Sequence, residues 1–388
     1  MALKMPSVNI AFYEKGITAI QRSERGIVAM IIEDDVEAFT SPLKLYTVAD
    51  IPSTLTKENQ EQIQLVMKGY QKSPLHVLVF VIATGGETGI SKYQTTLNIL
   101  ETTRFDYLVI PEIQIGETDA IATWIKQQRT VKDKMVKTVL PKAAADTEGV
   151  VNFTNTEIKV VDAEKTAAAQ AAATAAGTGI VDPILKAMTG AQYAGRVAGI
   201  ICGTPMTISC TYAPATEIMD CDRYTKDEMD TKTGKGELFF FFDGKQFKVN
   251  RGVNSFVTTT QDKLNSFKKI KKVDIMDMIH DDIKETAQDS YIGKYANSYP
   301  NKCLLIAAVL GYLERLELDG LLQPGSSVSL DVEYTKNWLL SNGKYTKDEL
   351  NQMTEQEIKE ADTNDVVFLL AKIKILDAIE EITLRVMI

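Results

Sequence analysis

The sequence predicts two kinds of architecture in one chain: an α/β body with a mostly parallel sheet, then an α+β C-terminal domain, with an extended strand arm at each end. Three observations carry this. From Gly26 to Asp162, short apolar runs alternate with helix-patterned stretches, as in parallel strands joined by helical crossovers. From Glu237 onward a hairpin, two long helices and isolated strands follow instead. Both ends of the chain show strict apolar–polar alternation.

Residues 6–13, PSVNIAFY, place Val8, Ile10 and Phe12 on one side and Ser7, Asn9 and Ala11 on the other. Pro6 marks the start of this strand, and Gly16 ends it. GIVAMIIE (26–33) and LKLYTVADI (43–51) read as strands. Residues 56–71 read as a helix with Thr56 as N-cap and Gly69 near its end. LHVLVFVI (75–82) is a continuous apolar run, expected of a strand buried on both faces. A helix opened by Ser91 (91–103), a strand at 105–112 and a helix at 117–130 follow. Short strands are expected at 136–142, 149–155 and 157–162.

The alanine-rich stretch 163–179 reads as a helix with a small-residue face, or as an exposed flexible insert. Residues 195–214 read as helix, tight turn and strand. The polar segment TKTGKG (231–236) is expected to be a loop separating the two halves. ELFFFFDGKQFKVNRG (237–252) is expected to be a hairpin turning at Asp243–Gly244. Helices follow at 273–293 and 301–318, strands at 327–334 and 365–376, and between them an acidic amphipathic helix or helix pair at 347–362. The final stretch, EITLRVMI (381–388), alternates Ile382, Leu384, Val386 and Ile388 with Thr383, Arg385 and Met387. The expected organisation is an arm (1–20), an outer α/β domain (21–235), a C-terminal domain (236–380) and a second arm (381–388).

A chain of 388 residues exceeds what a single core usually serves, which agrees with two domains. Lys plus Arg total 43 against 52 Asp plus Glu, a net charge of -9, so direct nucleic-acid binding is not expected. The basic cluster Lys268, Lys269, Lys271 and Lys272 runs straight into Asp274, Asp277, Asp281 and Asp282 and reads as a solvated stretch of mixed charge. No apolar run approaches the ~20 residues of a membrane span, and the first residues lack a signal-peptide core, so assembly in the cytoplasm without membrane insertion is expected.

Cys202, Cys210, Cys221 and Cys303 form no C-x-x-C pair and only two histidines exist, so buried free thiols are expected and no metal site. His76, at the head of an apolar strand, reads as structural; His280 reads as a partly exposed surface residue. GGETGISK (85–92) follows a buried strand, but its spacing is not that of a phosphate loop. No nucleophile elbow occurs. No cofactor is expected and the chain does not read as an enzyme. An α/β enzyme of unknown chemistry and a non-contractile strand-swapped shell protein are the alternatives.

Four stretches, in this order, resemble the tail sheath proteins of contractile phage tails and phage-tail-like bacteriocins of Gram-positive type. They are YAGRVAGIICGTPMTISCTYAP (193–214), FDGKQFKVNRGVNSFVT (242–258), residues 270–322 with their DDI, YIGK and N-x-Y-x-N-K pieces, and the closing strand after AKIKILDAIEEI. The PSVNIAF arm is similar as well. The resemblance implies a virion or particle component without cofactor: stacked hexameric rings forming a helical homopolymer around a tail tube. Such a sheath meets a baseplate and a tail terminator, is assembled in the bacterial host cytoplasm, and contracts to drive the tube through the target envelope. It also implies that both arms join the sheet of a neighbour's C-terminal domain.

From the residues alone, the end strands could close a sheet of their own subunit or add to a neighbour's. In the second case Val8, Ile10, Phe12, Ile382, Leu384, Val386 and Ile388 set the register. Glu355, Glu357 and Glu360 of the acidic segment are the candidate contacts to the tube, by charge complementarity.

Overall fold

The structure, a computed structural model, describes residues 19–35 and 42–387. The elements in chain order are β1 (Ile27–Asp34), β2 (Leu43–Leu45), α1 (Lys57–Met67), β3 (His76–Ala83), α2 (Gln94–Leu100), β4 (Tyr107–Val109), α3 (Thr118–Thr130), β5 (Lys137–Pro141), β6 (Val150–Phe153) and β7 (Glu157–Val161). Then come α4 (Ala163–Ala176), β8 (Leu185–Thr189), α5 (Gly190–Cys202), β9 (Ile218–Cys221), α6 (Lys226–Gly234), β10 (Glu237–Leu238), β11 (Phe240–Phe242) and β12 (Phe247–Val249). The rest are α7 (Ile270–Thr286), α8 (Tyr299–Leu318), β13 (Ser327–Leu330), α9 (Val332–Ser341), α10 (Lys347–Gln352), α11 (Glu355–Glu360) and β14 (Leu369–Lys372).

The apolar runs of β1 and β3 pair in parallel, Ile27 with His76 through Asp34 with Ala83. They lie inside a seven-stranded sheet of order β10-β6-β5-β4-β1-β3-β2, in which β2 alone is antiparallel to its neighbour. Both faces are covered, which is why the runs are continuous rather than alternating. Val28, Met30 and Ile32 pack with Ile63 and Val66 of α1 and Val197 and Ile201 of α5. Ile27, Ala29 and Ile31 pack with Leu97 and Leu100 of α2 and Ile121 and Ile125 of α3. Helices α1 and α5 lie close because α5 carries Gly199, where a Cβ would stand 2.2 Å from the Val66 carbonyl oxygen.

Several elements are shorter than their patterns. LKLYTVADI is a strand only at Leu43–Leu45, because Asp50 turns the chain by accepting the Tyr46 and Thr47 amides. SVSLDVEY stops at Leu330, where Asp331 caps α9 by accepting the Tyr334 amide at 2.9 Å. Ser91 lies within a 3-10 turn, Gly89–Tyr93, ahead of α2. The alanine-rich stretch is a helix. Asp162 accepts the Lys165 amide at its N-terminus and Gly177 ends it at φ +67, so the local caps and alanine propensity suffice. The segment 347–362 is a helix pair, α10 and α11, each opened by a Thr–Glu capping box.

TKTGKG is the end of α6 and its exit, not a loop between domains; Thr225 and Glu228 nucleate that helix through a capping box. The segment after it stays in the α/β body. Glu237 and Leu238 add to the sheet edge beside β6, and Asn155 both donates to the Phe240 carbonyl and accepts its amide. Phe240 then packs edge-on against Phe153 and Tyr193. The chain accordingly forms two compact units, divided at His280 and Asp281 rather than at 235/236. One runs from Ser23 to His280 and includes the residues from Asp377 onward. The other runs from Asp281 to Leu376 with the described residues up to Arg22.

The first unit ends on a buried ionic network between α7 and the sheet. Arg129 grips Asp277 with two hydrogen bonds of 2.9 and 2.8 Å. Lys137 donates to Asp277 at 2.7 Å and pairs with Asp274 at 3.0 Å, and Tyr107 donates to Asp274. Burial opposes charge on Asp277, but Lys137 and Arg129 outweigh it and hold its carboxyl at about 2; burial pushes Asp274 up. The "solvated" reading of this mixed-charge stretch is therefore wrong for Asp274 and Asp277, and also for Lys271 and Asp282, which are buried.

The second unit has its own core, with Val309, Leu313 and Leu316 of α8 buried, and Leu339, Leu350 and Ala361 clustered under Trp338 and Met353. Among the described residues its sheet has two strands, β13 and β14, antiparallel from Ser327–Lys372 to Leu330–Leu369.

Candidate assembly interface

The residues that invited a catalytic reading are occupied by structural contacts. Lys92, at the end of GGETGISK, donates to Glu33 at 2.7 Å; burial opposes its charge, but Glu33 outweighs burial and raises the ammonium above its usual value. His76 is buried beside the Tyr46 ring, and burial lowers its pKa, which leaves it neutral. His280 shares a 2.9 Å hydrogen bond with Asp133. Burial pushes the Cys210 and Cys221 thiols to about 12 and that of Cys202 well up, which keeps them unreactive. Cys303 departs from the expected burial: it is exposed on α8.

The C-terminal end of the chain is built differently. Its root, Asp377–Glu381, is held by charges of the first unit. Asp377 meets Lys269 at 2.8 Å and Lys272 at 3.1 Å. Glu380 is central, with a side chain only 8% exposed. One carboxylate oxygen accepts from Thr211 at 2.7 Å and Ser209 at 3.2 Å, the other from Arg251 Nε at 3.0 Å. Burial opposes its charge, but Thr211, Lys269 and Arg251 lower its pKa nonetheless. Lys269 and Lys272, read from sequence as part of a solvated run, are thus partners of the arm root.

Beyond the root the character changes at once. Ile382, Leu384 and Val386 are 85%, 80% and 73% exposed, and residues 382–387 form no strand ladder within the chain. The strand expected at 381–388 is therefore not formed by the described residues of the single chain: a lone strand has no ladder to join. Val8, Ile10, Phe12 and Ile388 lie outside the described residues.

The sheet of the second unit has the complementary property. Among the described residues no further strand pairs with either outer edge of this two-stranded sheet, whose edge N–H and C=O groups are open to a further strand. On β14 Leu370 is exposed, as is Ile373 just after it.

In the acidic helix pair the three glutamates differ. Glu357 closes the capping box of α11, accepting from the Thr354 amide at 2.7 Å. Glu355 lies 3.8 Å from Lys359, and Glu360 accepts from Gln356. Glu349, Glu357, Glu360 and Asp362 line one open acidic cleft of ≈ 610 Å³.

Comparison with known proteins decides what these features belong to. Residues 86–255 match the phage tail sheath protein central domain, and residues 262–388 the phage tail sheath C-terminal domain. The tail sheath protein of Clostridium phage phiCD119 is 36% identical over 382 residues, which cover 98% of each chain. The chain belongs to the phage tail sheath family. As a tail sheath protein it is a structural subunit of a virion tail or tail-like particle, and not an enzyme. Its fold is also that of solved sheath proteins. The sheath tail protein of Desulfitobacterium hafniense matches with TM-score 0.64 at 17% identity, over 84% of this chain and 94% of that one. The helical sheath of the anti-feeding prophage in its contracted state matches with TM-score 0.67 at 13% identity, over 100% and 99%. In this sheath subunit the parallel sheet is covered on both faces, and the residues of its α/β body are taken up by structural contacts.

Proposed function

We propose that the subunit polymerises around a tail tube by strand exchange: residues 382–388 leave their own chain and pair with the open β13–β14 sheet of a neighbouring copy. The carrying observation is the alternating apolar arm, exposed and without a ladder, in a chain whose C-terminal two-stranded sheet pairs with no further strand among the described residues. Main-chain hydrogen bonds supply the strength of such a joint, while Ile382, Leu384, Val386 and Ile388 fix its register. The N-terminal segment with Val8, Ile10 and Phe12 acts as a second such arm. Joined copies form stacked hexameric rings, seated on a baseplate and closed by a tail terminator. Contraction of the polymer drives the tube through the target envelope; the similarity in fold to a sheath solved in its contracted state supports that step.

A paired-cysteine experiment tests the joint. Leu384→Cys and Leu370→Cys, combined in a Cys303→Ser background, are expected to give a ladder of disulfide-linked oligomers in assembled material. Neither single variant gives it. Disulfide confined to monomers would mean that the arm folds back on its own sheet.

The acidic cleft faces the tube in this reading. Glu357 is unsuited to a test, because its reversal would break the cap of α11. Glu355→Lys with Glu360→Lys is expected to reduce assembly on tubes at least several-fold in sedimentation, and tube-independent polymerisation stays as it was. Equal assembly on tubes would remove these residues from the contact.

A further inference from the structure

The three acidic side chains of the arm root meet three basic side chains of one unit. Arg251 holds Glu380 and Glu381, Lys269 holds Asp377 and Glu380, and Lys272 holds Asp377. Two of these acids sit at the rim, where ion pairs are weak and screened by salt. Glu380 does not: its side chain is only 8% exposed, with two hydroxyl donors and a guanidinium on its carboxylate. The Thr211 hydroxyl that serves Glu380 also accepts the Gly252 amide at 3.0 Å, so the notch is braced by backbone. A carboxylate with that many directed donors is held in a built site, whereas Ile382, Leu384 and Val386 beyond it are exposed.

We propose that this notch, formed by Ser209, Thr211, Arg251, Lys269 and Lys272, is a docking site for the chain's own acidic segment Asp377–Glu381, and that docking sets the free length of the arm. The proposal rests on the strand-exchange reading. Docked, the arm is free from Ile382; released, it is free from Asp377. At about 3.3 Å per residue the five extra residues add roughly 17 Å of reach. A joint with two arm lengths stays paired while subunits change their spacing. The clasp is ionic and partly exposed, so it opens without unfolding either unit.

Thermolysin cleavage of the unassembled full chain tests docking. The enzyme cuts before large apolar residues, so the bond before Ile379 reports the root, and the bonds before Leu384 and Val386 report the free arm as an internal reference. A protease needs several extended residues, which the docked root does not supply. Asp377→Asn, Glu380→Gln and Glu381→Gln together are expected to raise cleavage before Ile379 about tenfold relative to the reference sites, because neutral amides cannot hold the ionic clasp. Arg251→Gln, made from the notch side, is expected to act in the same direction, as is ~1 M salt on the parent chain.

An unchanged cleavage ratio in both variants overturns the docking site. The triple variant should also need about tenfold more protein to polymerise, since the released root must be ordered again on assembly. An unchanged threshold overturns the link between docking and arm length. Normal polymerisation after removal of residues 382–388 refutes strand exchange instead, and leaves the cleavage result standing.

Discussion

Removing residues 382–388 is expected to abolish sheath polymerisation and to leave a folded monomer. The truncation takes away Ile382, Leu384, Val386 and Ile388. Burying each such side chain in a neighbour's sheet is worth about 1.5–3 kcal/mol, and the main-chain pairs go with them. The remaining root ends on Glu380 and Glu381, which are engaged with Arg251 of the same chain. The monomer keeps its fold because residues 382–387 are exposed and add no strand to either unit. Electron microscopy should show tubes or sheath-like polymers for the full chain and none for the truncated one, with matching circular dichroism and unfolding midpoints. Leu384→Asp should act in the same direction, because it places a charge in the middle of the apolar register. Polymers of normal number and width from the truncated chain would rule the C-terminal arm out as a joint.

The largest effect on stability is expected at Asp277. Asp277→Ala leaves Arg129 and Lys137 buried with their shared counter-ion gone, and such a change typically costs about 3–5 kcal/mol. Urea unfolding at neutral pH measures it; a change below about 1 kcal/mol would mean that the network relaxes or takes up water. The pH dependence has a definite sign. Asp277 and Glu217 are both held at about 2 in the folded chain, Glu217 because Arg196 and Lys68 outweigh its burial. Depressed carboxyls contribute stability that is complete above their unfolded pKa of about 4 and is lost as pH falls toward 2. Asp274 works in the opposite sense, because burial raises its pKa and the folded chain takes up that proton more readily. Asp277→Asn should therefore flatten the loss of stability between about pH 4 and pH 2; a slope equal to the parent's would assign the acid sensitivity elsewhere.

The candidate site was legible only in part. The period-two pattern of EITLRVMI marks an arm without help from the fold, since alternation is a local property of side chains. Its root was not legible. Asp377 and Glu380 find Lys269 and Arg251 more than a hundred positions away, and in sequence the same lysines look like one half of a solvated mixed-charge run. The one available signal was the contrast between the acidic stretch 377–381 and the apolar arm that follows it. The division of the chain shows the same limit. TKTGKG looks like a linker because it is polar, but a capping box at Thr225 makes it the end of a helix. Asn155 and the aromatic cluster around Phe240 then draw the hairpin into the first unit.

The sequence by itself determined the class of the fold. Continuous apolar runs alternating with helix-patterned stretches demand strands covered on both faces, and β1, β3, α1, α3, the hairpin and the long helices follow those patterns to within a few residues. It also marked both ends as alternating apolar stretches, and it pointed to a sheath rather than to a catalyst. The tertiary structure alone decided where the units divide, which charges of the Lys268–Asp282 stretch are buried, and that the arm is clasped at Glu380 before it becomes free. The physical reason is one of range. Periodicity and capping act over one or two turns of chain, whereas ion pairs and buried polar networks join residues whose proximity exists only after the sheet and α7 have packed.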